Sequence, residues 1–189
     1  MYEAMHPPIH HWQSLLASHI QSSLGEFSEW VLCGGRSIDW IPGRTTRDHG
    51  DTDIGVFRSD LTACLSSFDQ RRVYLCDPPG ELKAWDGEAV PEDVHDIWIT
   101  TKDESLWLIQ LLVYDDTEET VVYRRDSRIT WPKSEHAITI RGIRVLNPIV
   151  TLLFKLHRHE LQNKDCRDVS TLIDVFANNY FLPDHLKDE

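Results

Sequence analysis

Apolar residues along this chain change their spacing at a few sharp points, and those points divide it into elements. Across residues 10–24, Trp12, Leu15, Leu16, Ile20 and Leu24 fall close to helical spacing and predict a helix. The run Trp30-Val31-Leu32-Cys33 is wholly apolar and is stopped by Gly34-Gly35, which predicts a buried strand ending in a tight turn. A short helix is expected from Ser37 to Trp40, ended by Pro42-Gly43, and then a polar loop over residues 44–50. Residues 51–57 alternate acidic and apolar before turning fully apolar, as a strand with one end in a site would. Asp60 is placed to cap a helix running through Phe68.

The middle of the chain reads as β. Residues 73–76 predict a strand, and a loop rich in Pro, Gly and acid follows over residues 77–92, with a short strand near 82–85. Residues 96–101 and 106–114 predict a hairpin across the polar stretch 102–105, and residues 120–124 and 137–145 supply further strands. After Asn147-Pro148 the pattern turns helical, since proline suits a first helical position and asparagine its cap. Ile149, Leu152, Leu153 and Leu156 make one expected inward face, and a second helix over about 164–177 turns Val169, Leu172, Ile173 and Phe176 inward. The class is α+β. The expected layout is a core over residues 1–146 with a mixed central sheet and flanking helices, and a C-terminal helical segment, 147–189, packed on the same domain.

Composition narrows what such a chain can do. Its 189 residues are 41% apolar, enough to bury a core without staples. The four cysteines, Cys33, Cys64, Cys76 and Cys166, are scattered without a C-x-x-C pair and read as reduced thiols of a cytoplasmic protein. No apolar run follows a basic segment within residues 1–12, so no secretory leader is expected, and no apolar stretch has the length of a membrane span. The net charge of −12 argues against a broad nucleic-acid surface, which needs a basic footprint. It suits a cationic or neutral small substrate, or serves solubility alone.

The chemistry concentrates in one region. Period-two spacing puts Asp51 and Asp53 on one strand face with Thr52 turned away. Two adjacent carboxylates repel unless a cation lies between them, and hard oxygen ligands favour Mg²⁺ or Mn²⁺. About sixteen residues earlier, Gly34 and Gly35 let backbone N–H groups approach phosphate oxygens with no Cβ in the way.

In this order and spacing, GGRSIDWIPGRTTRDHGDTDIGV resembles the DNA polymerase β-like nucleotidyltransferase superfamily, with its Gly-Gly or Gly-Ser turn followed by D-x-D on the next strand. More narrowly it is similar to the aminoglycoside and lincosamide nucleotidyltransferases, which read approximately GGWAhDhhxGRxTRxHxDhDh. The stretches Asp77-Pro-Pro-Gly80, His95-Asp-Ile-Trp98, Gln110-Leu-Leu, Tyr123-Arg-Arg-Asp126 and Lys164-Asp-Cys-Arg-Asp168 extend the likeness to a group of similar bacterial proteins.

The resemblance implies the polymerase β-like fold and transfer of a nucleoside monophosphate from a Mg²⁺-bound ATP or other NTP to the hydroxyl of a small acceptor. Gly34, Gly35, Arg36 and Ser37 would then meet phosphate, Arg36 as a bidentate donor, while Asp51 and Asp53 hold metal. Relatives carry a third carboxylate on a later central strand, where this chain has Gln110, and an amide can neither act as a base nor replace an anionic ligand well. Asp96 on the neighbouring strand substitutes for it if the register turns it to the same face; a slip of one residue would turn it away. The missing acid also admits a non-catalytic nucleotide binder, and transfer to a protein or RNA partner is a third reading.

The remaining candidates each carry two readings. Arg47, with Arg44 and His49, either binds triphosphate or forms loop salt bridges. Lys155 reaches phosphate or lies on a solvated helix face. Lys164 and Asp168 serve the site or the first turns of the last helix, where Asp165 acts as a cap and Asp39 as a loop-holding group. His6, His10, His11 and the pair His157 and His159 are read as structural or exposed, not as metal ligands. Trp85, Trp98, Trp107 and Trp131 pack the core or wall the acceptor pocket.

Overall fold

A computed structural model describes residues 6–157 and 160–178. The expected order of elements is found, with altered boundaries. Helix α1 (Ala17–Leu24), strand β1 (Val31–Leu32), helix α2 (Gly34–Trp40), strand β2 (Asp53–Phe57) and helix α3 (Leu61–Leu65) come first. Strands β3 (Val73–Cys76), β4 (Leu82–Ala84), β5 (Asp96–Thr100), β6 (Trp107–Asp116), β7 (Thr120–Val122), β8 (Thr130–Pro132), β9 (Ala137–Ile140) and β10 (Ile143–Leu146) follow. Helices α4 (Pro148–Leu156) and α5 (Asn163–Ala177) close the described chain. None of its helices is long and apolar enough to cross a membrane.

The strands lie in the order β4-β3-β5-β6-β2-β1-β10-β9, with β7 on β6 and β8 on β7. Only β2–β6 and β1–β10 are parallel pairs; the others are antiparallel, so the sheet is mixed. Alternation then sorts side chains onto two faces. Ile54, Val56, Ile97, Ile99, Ile109, Leu111 and Val113 enter the main core with Ile20 and Leu24 of α1 and Leu61, Cys64 and Leu65 of α3. The opposite face has a smaller core around Cys33, Tyr114, Val121, Leu146 and Val150, under α4. Burial on one side leaves the other side of β2, β6 and β5 free to carry polar groups.

The structure departs from the sequence reading at several points. Residues 10–16 are not helical. Trp107 N donates to His11 O and Gln13 N to Trp107 O, so this segment lies along β6, and Trp12 packs on Trp98 with ring centroids 4.8 Å apart. Helix α2 begins at Gly34 instead of Ser37, so the glycines open the helix where a separate turn was expected. Strand β8, absent from the reading, is an edge ribbon that ends on Pro132, which has no N–H to lose.

The phase of the last two helices differs most. Pro148, Val150 and Thr151 are the buried residues of α4, while Ile149 is 65% exposed and Leu156 53%. In α5, Asp165, Asp168, Thr171, Leu172 and Val175 are buried and Ile173 is 58% exposed. Polar residues occupy the inward stripe because they meet cations there, so counting apolar positions misplaces the face. Asn147 caps α4 as expected, its Oδ1 accepting from Ile149 N at 2.9 Å. Asp60 precedes α3 without a side-chain capping bond, and that helix stops at Leu65.

His136 illustrates how packing sets chemistry in the smaller core. Its ring stacks on Trp131 at an interplanar angle of 8°, and Trp131 Nε1 donates to its Nδ1 at 3.1 Å. Burial, with some help from Arg144, lowers its pKa from 6.5 to about 4. Between those values the unfolded chain binds the extra proton, so stability is intact above the upper value and falls as pH drops toward 4. The expected loss is on the order of 2–3 kcal/mol. Urea midpoints of wild type and His136→Gln, followed from pH 7 to pH 4, should converge; parallel curves would sink this account.

Candidate active site

The polar face of β2 and β6 looks into a cavity of about 370 Å³. Its floor is built where β1 ends. Cys33 N donates to Asp53 O at 2.9 Å, and the chain turns through Gly34 at φ +63° into α2. A Cβ on Gly34 would stand 1.8 Å from Asp53 Oδ2, so the Asp53 carboxylate lies directly over this glycine. A Cβ on Gly35 would stand 2.3 Å from the His49 ring and 2.5 Å from Arg47 Nη2. The space kept open by the two glycines therefore admits the protein's own side chains, although both residues also line the cavity.

Asp51 and Asp53 both line that cavity, while Thr52 is buried with its Oγ1 donating to Leu15 O. Among the described residues neither carboxylate receives a hydrogen bond or an ion pair. Burial first, then the charges of Asp51 and Asp96, raise the pKa of Asp53 from 3.8 to about 7, with Lys155 and Lys164 acting against them. Among the described residues no three His, Cys, Asp or Glu side chains converge as a preformed metal cage. A buried acid without a protein donor beside a second acid still suits a hard divalent cation that takes its other ligands from water and phosphate.

Register decides the third position. Asp53 pairs with Gln110 across the parallel β2–β6 ladder, and Gln110 with Trp98 across β6–β5. Asp96, opposite Leu112, thus shares the face of Gln110 and Asp53. Gln110 Nε2 donates to Asp96 Oδ1 at 2.8 Å, so the amide joins the two acids' strands. An acid is present, one strand farther from Asp53 than Gln110. Burial raises its pKa, and the Gln110 hydrogen bond offsets part of that rise.

The cations fall into two sets. Asp168 receives Arg47 Nε at 2.8 Å, Arg47 Nη2 at 3.0 Å and Lys155 Nζ at 2.6 Å, and Lys155 also reaches Asp165 at 3.3 Å. Burial alone would raise the Asp168 pKa, but these donors outweigh it and hold it below the usual carboxylate value. Arg47 and Lys155 line the cavity with Asp168 beneath them, whereas Lys164 lines it with no ion-pair partner among the described residues. Asp165 caps α5 reciprocally with Gln162, as its position suggested.

Arg36 and Ser37 do not face the cavity. Arg36 donates to Asp51 O at 2.9 Å, His49 O at 3.2 Å and Ser14 Oγ at 2.9 Å, so it holds the loop that presents Asp51 and has no fork left for phosphate. Ser37 is buried and its Oγ donates to Gly34 O at 2.8 Å, inside α2. Asp39 accepts from Thr46 and lies 2.7 Å from His49 Nε2, a second staple on the same loop.

Several cavity residues escaped the sequence reading. Arg124 and Arg125, just after β7, line the rim, and a basic pair in a polar turn gives no periodic signal. Tyr114 and Phe154 form an aromatic wall, with Tyr114 OH 3.5 Å from the Cys33 thiol, whose pKa burial pushes up to about 12. No tryptophan lines the cavity: Trp98 and Trp107 pack together, Trp131 stacks on His136, and Trp85 lies against the core. His6 packs on Tyr74 and Trp107, and His10 and His11 are exposed. His157 packs on Tyr123, while His159 lies outside the described residues.

No protein-family model matches the sequence, and no curated protein does either. Several solved structures resemble it in shape. The lincosamide antibiotic adenylyltransferase LnuA, with lincomycin bound, superposes with a TM-score of 0.52 at 14% identity, covering 77% of this chain and 86% of its own. ANT(2″)-Ia, in complex with adenylyl-2″-tobramycin, gives a TM-score of 0.50 at 12% identity and covers 87% of each chain. With β1, the Gly34 turn and Asp51 and Asp53 at the start of β2 in this arrangement, the chain has the polymerase β-like nucleotidyltransferase fold.

Proposed function

We propose that this chain transfers a nucleoside monophosphate from ATP or another nucleoside triphosphate, bound with Mg²⁺ or Mn²⁺, to the hydroxyl of a small acceptor. The observation that carries the reading is the Asp53 carboxylate, buried over Gly34 beside Asp51 with no protein donor among the described residues. The adenylyl chemistry named for LnuA and the adenylylated ligand of ANT(2″)-Ia support an adenylyl donor and a hydroxylated acceptor.

Asp51 and Asp53 would hold the cation, whose charge would stabilise the transferring phosphoryl group. Lys164 would meet the donor's phosphates at the Asp53 side of the cavity. Asp96 would take the acceptor's proton on Oδ2 while Gln110 holds Oδ1, so that the acceptor oxygen bonds to the α-phosphorus and pyrophosphate leaves. A carboxylate with a raised pKa is a better base than an ordinary one. Mg²⁺-dependent binding of ATP by calorimetry and acceptor-dependent pyrophosphate release test the reading. ATP binding that is unchanged by chelator would remove the metal site from it.

Gln110 itself favours a second reading, a nucleotide binder without turnover, because it pairs with Asp53 at the place where the family resemblance calls for an acid. On that reading Gln110→Asp gains transferase activity that wild type lacks. Pyrophosphate release by the wild type with any acceptor ends it.

A further inference from the structure

The cavity's charge is more evenly balanced than that of the chain. Acids outnumber Lys and Arg by 31 to 19 overall, yet Asp51, Asp53, Asp96 and Asp115 in the cavity lining face five cations. Arg47 and Lys155 are committed to Asp168. Asp115 is committed as well, with Arg58 Nε donating at 3.0 Å and His95 Nε2 at 2.6 Å from it. Arg125 donates to Phe154 O at 3.2 Å.

That leaves Lys164 and Arg124 without a hydrogen bond or ion pair among the described residues, and they act on different acids. The charge of Lys164 is felt at Asp53, and that of Arg124 at Asp96 and Tyr114. An acceptor whose hydroxyl meets Asp96 therefore has the free guanidinium fork of Arg124 within reach of a neighbouring group.

Resting on the transferase reading, we infer that the acceptor carries an oxyanion, a carboxylate or a phosphate, bound by Arg124 at the Asp96 end of the cavity. A planar fork with two parallel donors fits either group, and a cationic acceptor would meet it with like charge. The cationic acceptor suggested by net charge alone is thereby replaced, because the acceptor meets the unpaired guanidinium beside Asp96 and not the sum over the surface.

The test uses the full chain with Mg²⁺ and a non-hydrolysable ATP analogue, and four matched sugars: glucose, glucosamine, glucuronate and glucose 6-phosphate. Calorimetry should show the two anionic sugars bound about tenfold or more tighter than glucose. Comparison of glucuronate with glucose 6-phosphate separates carboxylate from phosphate. Arg124→Ala should erase the preference while leaving nucleotide affinity within about twofold, and Arg124→Glu should turn it toward glucosamine. Arg124 is exposed, so neither substitution endangers the fold.

A preference that survives Arg124→Ala overturns the assignment, as does equal or undetectable binding of all four sugars. A variant that loses nucleotide affinity instead also overturns it, moving Arg124 to the donor's phosphates. Arg124-dependent binding of the anionic sugars in a protein that binds no nucleotide would sink the transferase reading and leave the oxyanion site standing.

Discussion

Replacing Asp53 with asparagine is expected to stop nucleotidyl transfer and, in the metal-free protein, to raise stability at pH 8. The two effects share one cause. Burial, followed by the charges of Asp51 and Asp96, raises the Asp53 pKa from 3.8 to about 7. Within that window the folded state binds more protons than the unfolded chain, so stability falls as pH rises from about 4 to about 7. Above the upper value the full penalty of a buried charge is present, on the order of a few kcal/mol. Asparagine keeps the shape and removes the charge. Melting in EDTA should show the variant above wild type at pH 8 and level with it near pH 4.

Added Mg²⁺ with ATP should reverse the order by stabilising wild type alone. Transfer should fall by about two orders of magnitude or more, the scale for losing a group that stabilises transition-state charge. A variant less stable than wild type at pH 8 would contradict the electrostatic account. Unchanged Mg²⁺-dependent ATP affinity would contradict the metal assignment.

The largest loss of stability is expected from Asp168→Asn. The Asp168 side chain is 1% exposed and answers two cations that are themselves 16% and 12% exposed, Arg47 and Lys155. Removing the shared carboxylate leaves Arg47 uncompensated and Lys155 with Asp165 alone at 3.3 Å, and breaking a buried pair in this way costs about 3–5 kcal/mol. Its depressed pKa sets the pH dependence: the contribution is complete above 3.8 and is lost as pH falls through the lower folded value. Urea unfolding at pH 7 measures the loss, and a variant within about 0.5 kcal/mol of wild type would contradict the role. If Asp168 instead served nucleotide, as its place in the sequence allows, the same variant would weaken ATP binding at unchanged stability.

This carboxylate is also a case of meaning supplied by the fold. Next to Lys164 and Asp165 it reads as a helix-start acid, and nothing within a turn of it announces Arg47, 121 positions away. Arg36 shows the reverse. Its place after Gly34-Gly35 suggests phosphate, but the loop folds back and, with Ser14, takes the Nε and Nη2 donors.

What the sequence by itself determined is what local periodicity and local stereochemistry control. The strand before Gly34, the one-sided placement of Asp51 and Asp53, the hairpin of β5 and β6, and the start of α4 at Asn147-Pro148 all follow from spacings of a few residues. Tertiary structure decided the rest, because each remaining question turns on a partner far along the chain. The β2–β6–β5 register put Gln110 beside Asp53 and turned Asp96 to the same face, a choice that a slip of one residue would have undone. Buried ion pairs rotated α5 so that Asp165 and Asp168 point inward and Ile173 outward. Only the assembled cavity separates the cations already satisfied from Arg124 and Lys164. Charge is summed over a chain, but a ligand meets only the part that folding leaves unpaired.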